Sequence, residues 1–125
     1  MEEMRADVVI IGGAVTGAAT AWWLMQMAPD LKVTVIEKDP TYARSATALS
    51  VASVRQQFSN PVNVEISRFG VDFIRNFAER IGPEGGIASL GLKENGYLFL
   101  SGTEDGARTL AELAAMQRSL GAATE

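Results

Sequence analysis

A β-branched run that ends in closely spaced glycines, followed by a helix and a second such run, leaves few folds open. Residues Asp7 to Glu37 have that form: DVVIIGGAVTGAATAWWLMQMAPDLKVTVIE. Asp7-Val8-Val9-Ile10-Ile11 shows no polar alternation, as expected of a parallel strand covered on both faces. Gly12, Gly13, Ala14 and Gly17 follow at once. Small residues there let the chain reverse tightly, let a ligand approach the backbone and seat a helix on the strand. The helix is expected from about Thr16 to Ala28, closed by Pro29-Asp30. Its first N–H groups lack intrahelical partners and its dipole is positive at that end, so the turn suits a pyrophosphate.

The second strand, Lys32 to Ile36, ends in Glu37, at the distance from Gly17 where a carboxylate meets the ribose hydroxyls of a dinucleotide. A carboxylate repels a 2′-phosphate, which disfavours NADP and leaves FAD and NAD open. The middle glycine of the usual G-x-G-x-x-G is Ala14, the mildest departure available. The competing reading is a strand–helix–strand piece that binds no nucleotide. Strand, turn, helix and acid all agree against it.

The chain has no cysteine and no histidine, which removes disulfides, thiolate nucleophiles, the usual zinc sites and the commonest general base. No metal site is expected, and redox chemistry requires a cofactor that carries it. A net charge of −4, with eleven scattered Lys and Arg residues, argues against nucleic-acid binding. No apolar run reaches membrane-span length and the start, MEEMRAD, is acidic, so a cytoplasmic protein is expected.

The helix after the glycine turn is apolar nearly all round, Trp22 and Trp23 included, and is expected to be buried. After Glu37, Lys38-Asp39-Pro40 turns the chain into a Ser/Thr/Ala-rich run, Ala43 to Val54, that leads to Arg55-Gln56-Gln57-Phe58. Such a run packs closely round a flat polar ligand, or else forms an irregular loop. Asn60-Pro61 opens a helix whose apolar stripe Val62, Ile66, Phe69, Phe73, Phe77 and Ile81 predicts one core-facing side, with Gly82-Pro83 as the stop. Pro83 to Gly86 reads as a boundary, placing domains at 1–84 and 85–125. Beyond it, residues 88–100 with Asn95-Gly96 at the tip predict a β-hairpin. Thr103 then caps a last helix that Gly121 stops. A sheet of two parallel strands has open edges, so further strands are expected from additional sequence, and the chain reads as an incomplete piece.

These features resemble the N-terminal part of the FAD-dependent amine and amino-acid oxidoreductases: the D-amino-acid oxidase, glycine oxidase and sarcosine oxidase/dehydrogenase group. The resemblance rests on DVVIIGGAVTGAATAWWL, VTVIEKD, the segment ending SVRQQFS, NPVNVEISRFGVDF and ENGYLFL. It implies an α/β fold: a Rossmann-like FAD-binding βαβ unit of the glutathione-reductase type, followed by the start of an α+β substrate domain. It implies FAD with its pyrophosphate at Gly12, Gly13, Ala14, Val15, Thr16 and Gly17 and its ribose on Glu37. Lys38, Arg44, Ser45, Thr47 and Ser50 would complete the cofactor contacts. Arg55 stands where the sarcosine oxidase pattern carries an arginine that pairs with a substrate carboxylate. Related sequences often have Gly-Gly just before that arginine, and this one has Ala52-Ser53. The partners implied are a small amine or amino acid and the remainder of the flavoenzyme, in the same chain or a partner subunit. An NAD-dependent dehydrogenase and a non-enzymatic truncated or split nucleotide-binding subunit are the alternatives.

Overall fold

The computed structural model describes residues 5–82, 86 and 89–125. It forms two units, one running up to Ser53 and the other spanning Val54–Glu125. The boundary expected at 83–86 lies largely outside the described residues, as does the first residue of the expected hairpin.

In the first unit, strand β1 (Val8–Ile11) leads through the glycine turn into helix α1 (Val15–Met27) and then strand β2 (Val33–Ile36). The strands are parallel and in register from Val8↔Val33 to Ile11↔Ile36. Asp7 fastens the open end. Its N–H donates to the Lys32 carbonyl at 3.0 Å and its carboxylate accepts from Lys32 N–H at 2.9 Å. Helix α1 packs on both strands. Side chains alternate across a strand, so the other sheet face, with Val9, Ile11 and Ile36, is open to solvent. No residue of α1 is buried, which corrects the expectation of a helix covered all round. Among its described residues the unit has one sheet and one long helix, so the helix side away from the sheet meets no second layer within the unit. Trp22 and Trp23 contact each other edge to face at 4.6 Å, with Trp23 partly exposed. A single turn, α2 (Ala46–Leu49), completes this unit.

The second unit is helical. Helix α3 (Pro61–Arg75) begins where expected, with the Asn60 side chain accepting from Val62 N–H at 2.9 Å and Pro61 in the first turn. The helix expected to run on to Ile81 breaks at Asn76, and a short α4 (Phe77–Ile81) follows. Asp72 organises the break: it accepts from the Asn76 side chain at 2.9 Å and from Arg80 at 2.5 Å. Helix α5 (Glu104–Ser119) is capped by Thr103, which accepts from Gly106 N–H at 3.1 Å. Gly121, at φ +79°, ends it in a Schellman arrangement, with Gly121 N–H on Arg118 O and Ala122 N–H on Gln117 O.

The stripe that packs is not the expected one. Val64 and Val71 are buried, whereas Val62, Ile66 and Phe69 are exposed. Helix α3 carries two apolar stripes; the one that includes Val64 and Val71 is buried, and α3 is in contact with α5. No strand forms over the described residues from 89 to 100. Gly96 has the expected positive φ of +77°, yet a lone hairpin is marginal without a neighbouring strand. No helix among the described residues is long and apolar enough to cross a membrane.

Candidate functional site

The site starts in the backbone of the glycine turn. Gly12 sits at φ +95°, a conformation open to glycine, and its N–H donates to Ile36 O at 2.8 Å, tying the turn to the end of β2. Gly17 is required by space: a Cβ there would lie 1.8 Å from the Gly12 carbonyl oxygen. Ala14 precedes α1 at φ −67°, an ordinary value, so the methyl that replaces the middle glycine brings no backbone strain.

Two donors of this turn are engaged from distant positions. Gly13 N–H donates to Glu37 Oε2 at 2.8 Å, and Val15 N–H to Thr47 Oγ1 at 3.3 Å. The N–H groups of Ala14, Thr16 and Gly17 have no partner among the described residues. Free donors at the positive end of a helix are what a diphosphate takes. No acidic side chain stands in the first turn of α1 to compete for them.

Glu37 is pinned at both oxygens, since Oε1 accepts from Asp39 N–H at 2.9 Å. The Gly13 N–H, and then the Asp39 N–H, hold its carboxyl below the usual range, so it is ionised at neutral pH. Each oxygen accepts one backbone bond and retains a further lone pair, the provision a ribose diol needs. Asp39 is lowered likewise, chiefly by the Thr41 hydroxyl at 2.6 Å and then the Thr41 N–H.

The remaining expected contacts divide. Thr47 is brought to the helix N-terminus, as described. Ser45 and Ser50 serve their own segment: Ser45 caps α2 by accepting from Ala48 N–H, and Ser50 bridges Thr47 O and Ala52 N–H. Lys38 and Arg44 are exposed and hold no side-chain hydrogen bond or ion pair among the described residues. Arg55 belongs to the second unit, with its guanidinium 4.7 Å from the Phe58 ring centre and 6.0 Å from that of Phe99. Phe58 and Phe99 line a cleft of about 470 Å³ together with Tyr97, Leu110, Leu113 and Gln117. Gln117 is buried and donates to Phe58 O at 3.0 Å, which fixes one wall.

Sequence reasoning missed Tyr42, whose hydroxyl reaches Gly13, and the departure at Ala52, which takes φ +50°. The related Gly-Gly pair was a signal for Ala52, since it marks a position suited to positive φ. Nothing in the pattern around Tyr42 marks it.

A glycine turn of open amides, closed by an ionised acid from the neighbouring parallel strand, defines a dinucleotide-binding unit of the kind flavin enzymes use. The model of the FAD dependent oxidoreductase (DAO) family matches residues 7–125, and the chain belongs to that family, whose cofactor is FAD. It is 46% identical over 123 residues to FAD-dependent oxidoreductase domain-containing protein 1 of Xenopus laevis, covering 94% of this chain and 24% of the relative. The Drosophila melanogaster homolog of that protein is 42% identical over 124 residues, 98% of this chain and 23% of the relative. Sulfide-quinone reductase of Aquifex aeolicus is 34% identical over 84 residues, covering 65% of this chain and 20% of that enzyme. The chain thus spans about a quarter or less of the length of these curated relatives. No solved structure matches it. The residues present fit FAD: open amides at a helix N-terminus suit a diphosphate, and the doubly held Glu37 carboxylate suits a ribose diol.

Proposed function

We propose that this chain supplies the FAD cradle of an oxidoreductase that acts on the C–N bond of a secondary or tertiary amine or amino acid. The observation that carries the cofactor part is the pairing of Glu37 with Gly13 N–H beside the free amides of Ala14, Thr16 and Gly17. Those amides would bind the pyrophosphate and Glu37 the ribose. Thr47 would hold the following loop against the helix N-terminus, and Lys38, Arg44, Ser45 and Ser50 would border the cofactor.

FAD, when bound, supplies a two-electron acceptor for a hydride from the carbon next to nitrogen, which leaves an imine for water to hydrolyse. Arg55 is assigned to the substrate carboxylate. The guanidinium lies 4.7 Å from the Phe58 ring centre, and its planar fork of N–H donors suits a bidentate carboxylate. The wider architecture assigned is the glutathione-reductase type, with 1–84 in the FAD domain and 85–125 opening an α+β substrate domain. That is a division of function, since packing divides at Ser53.

The test is the visible spectrum of the full-length protein before and after anaerobic addition of sarcosine, dimethylglycine and proline. A yellow protein bleached by one of them supports cofactor and substrate class together. A yellow protein bleached by none of them, with other reductants effective, would overturn the amine assignment alone.

A further inference from the structure

Tyr42 is held in a backbone conformation that a tyrosine disfavours. Its φ is +57°, in the left-handed region. Two backbone bonds impose this: Tyr42 N–H donates to Asp39 O at 2.9 Å, and Ser45 N–H donates to Tyr42 O at 2.9 Å. Asp39 is itself fixed by Thr41. The outcome is a phenol laid over the glycine turn. Its hydroxyl lies 3.0 Å, and its Cε1 3.4 Å, from the point a Cβ on Gly13 would occupy, and Glu37 Cβ lies 3.4 Å from that same point.

Gly13, Glu37 and Tyr42 therefore meet at one place, between the phosphate turn and the ribose acid. The hydroxyl has no hydrogen-bond partner among the described residues, and Tyr42 is 41% exposed. A tyrosine that served only to pack would bury its ring, and this one does not. Retained strain that directs a polar atom beside a ligand cradle is the pattern of functional sites.

We propose that Tyr42 is a ligand-binding residue for the ADP half of the dinucleotide, its hydroxyl donating to an oxygen at the junction of ribose and diphosphate. This rests on the reading of Gly12 to Gly17 and Glu37 as the FAD cradle. It also gives glycine at position 13 a reason, since a Cβ there would press on the phenol hydroxyl at 3.0 Å and shift it.

Calorimetric titration with ADP of the full-length protein stripped of flavin tests both. Three variants are compared with wild type: Tyr42→Phe, Tyr42→Asn, which tolerates the left-handed backbone, and Glu37→Ala. Tyr42→Phe weakens ADP binding about fivefold, the loss of one hydrogen bond, with no change in melting temperature. Tyr42→Asn and Glu37→Ala weaken it at least as much. If Glu37→Ala weakens ADP binding and Tyr42→Phe does not, the cradle stands and the hydroxyl assignment is overturned, whatever Tyr42→Asn shows. If none of the variants changes ADP binding, both readings fall.

Discussion

Glu37 is the residue on which charge, turn geometry and cofactor meet. Its folded pKa lies below the ordinary 4.5, first because of the Gly13 N–H and then the Asp39 N–H. A group whose pKa is depressed on folding contributes stability that is present above its unfolded value and lost as pH falls through the folded one. Melting temperature should therefore fall as pH drops below about 4.5, with Asp39 contributing in the same direction. Glu37→Gln should melt lower than wild type at pH 7, and the gap should narrow as pH falls from 4.5 through the folded pKa below it. Melts over that range check it. A gap that stays constant with pH would show that the carboxylate charge does not hold the turn.

At the scale of elements, the seat of α1 on β1 depends on one missing methyl. Gly17→Ala would put a Cβ 1.8 Å from the Gly12 carbonyl and 3.3 Å from Ile10 Cγ2. The first contact is with backbone, so no rotamer change relieves it, and α1 must shift away from the strand. A loss of roughly 1–3 kcal/mol is expected, the usual cost of overpacking. FAD retention should fall with it, because the same shift moves the amides of Thr16 and Gly17. Thermal melts and the flavin absorbance of the purified full-length protein measure both, and an unchanged melt would sink the argument. This much was legible in sequence, because glycine spacing, cap residues and the acid after β2 each act through local backbone chemistry. Asn60, Thr103 and Gly121 end their helices as their types dictate. What was not legible depends on competition between equals. Helix α3 offers two apolar stripes, and the burial of Val64 and Val71 rather than Ile66 and Phe69 depends on packing with elements such as α5, far along the chain. The break at Asn76 needs Asp72 and Arg80 together, and the left-handed Tyr42 needs Asp39 and Ser45 on either side. None of these is a pattern in neighbouring residues.

At the scale of the molecule, each unit leaves apolar surface uncovered. In the first, Val9, Ile11 and Ile36 share a sheet face, with Ile11 88% exposed. In the second, exposure alternates along the unpaired segment: Leu98 and Leu100 are 82% and 84% exposed, Tyr97 and Phe99 about half that. The alternation is that of a strand, and among the described residues no backbone hydrogen bond pairs it. Soluble proteins seldom leave such faces bare, since each buried aliphatic side chain is worth about 1.5–3 kcal/mol. The relatives are about four times as long, so a protein of their length has ample chain to cover both. The 125-residue chain on its own should accordingly bind a hydrophobic dye such as ANS strongly and associate as its concentration rises. A protein of the relatives' length should do neither. Ile11→Thr should reduce association of the 125-residue chain while leaving its melting temperature nearly unchanged, because the exposed side chain contributes little to packing within its unit. Dye fluorescence and light scattering on the two lengths decide the matter. Equal dye binding by both would mean that these faces stay open in the whole protein and serve something other than its own fold.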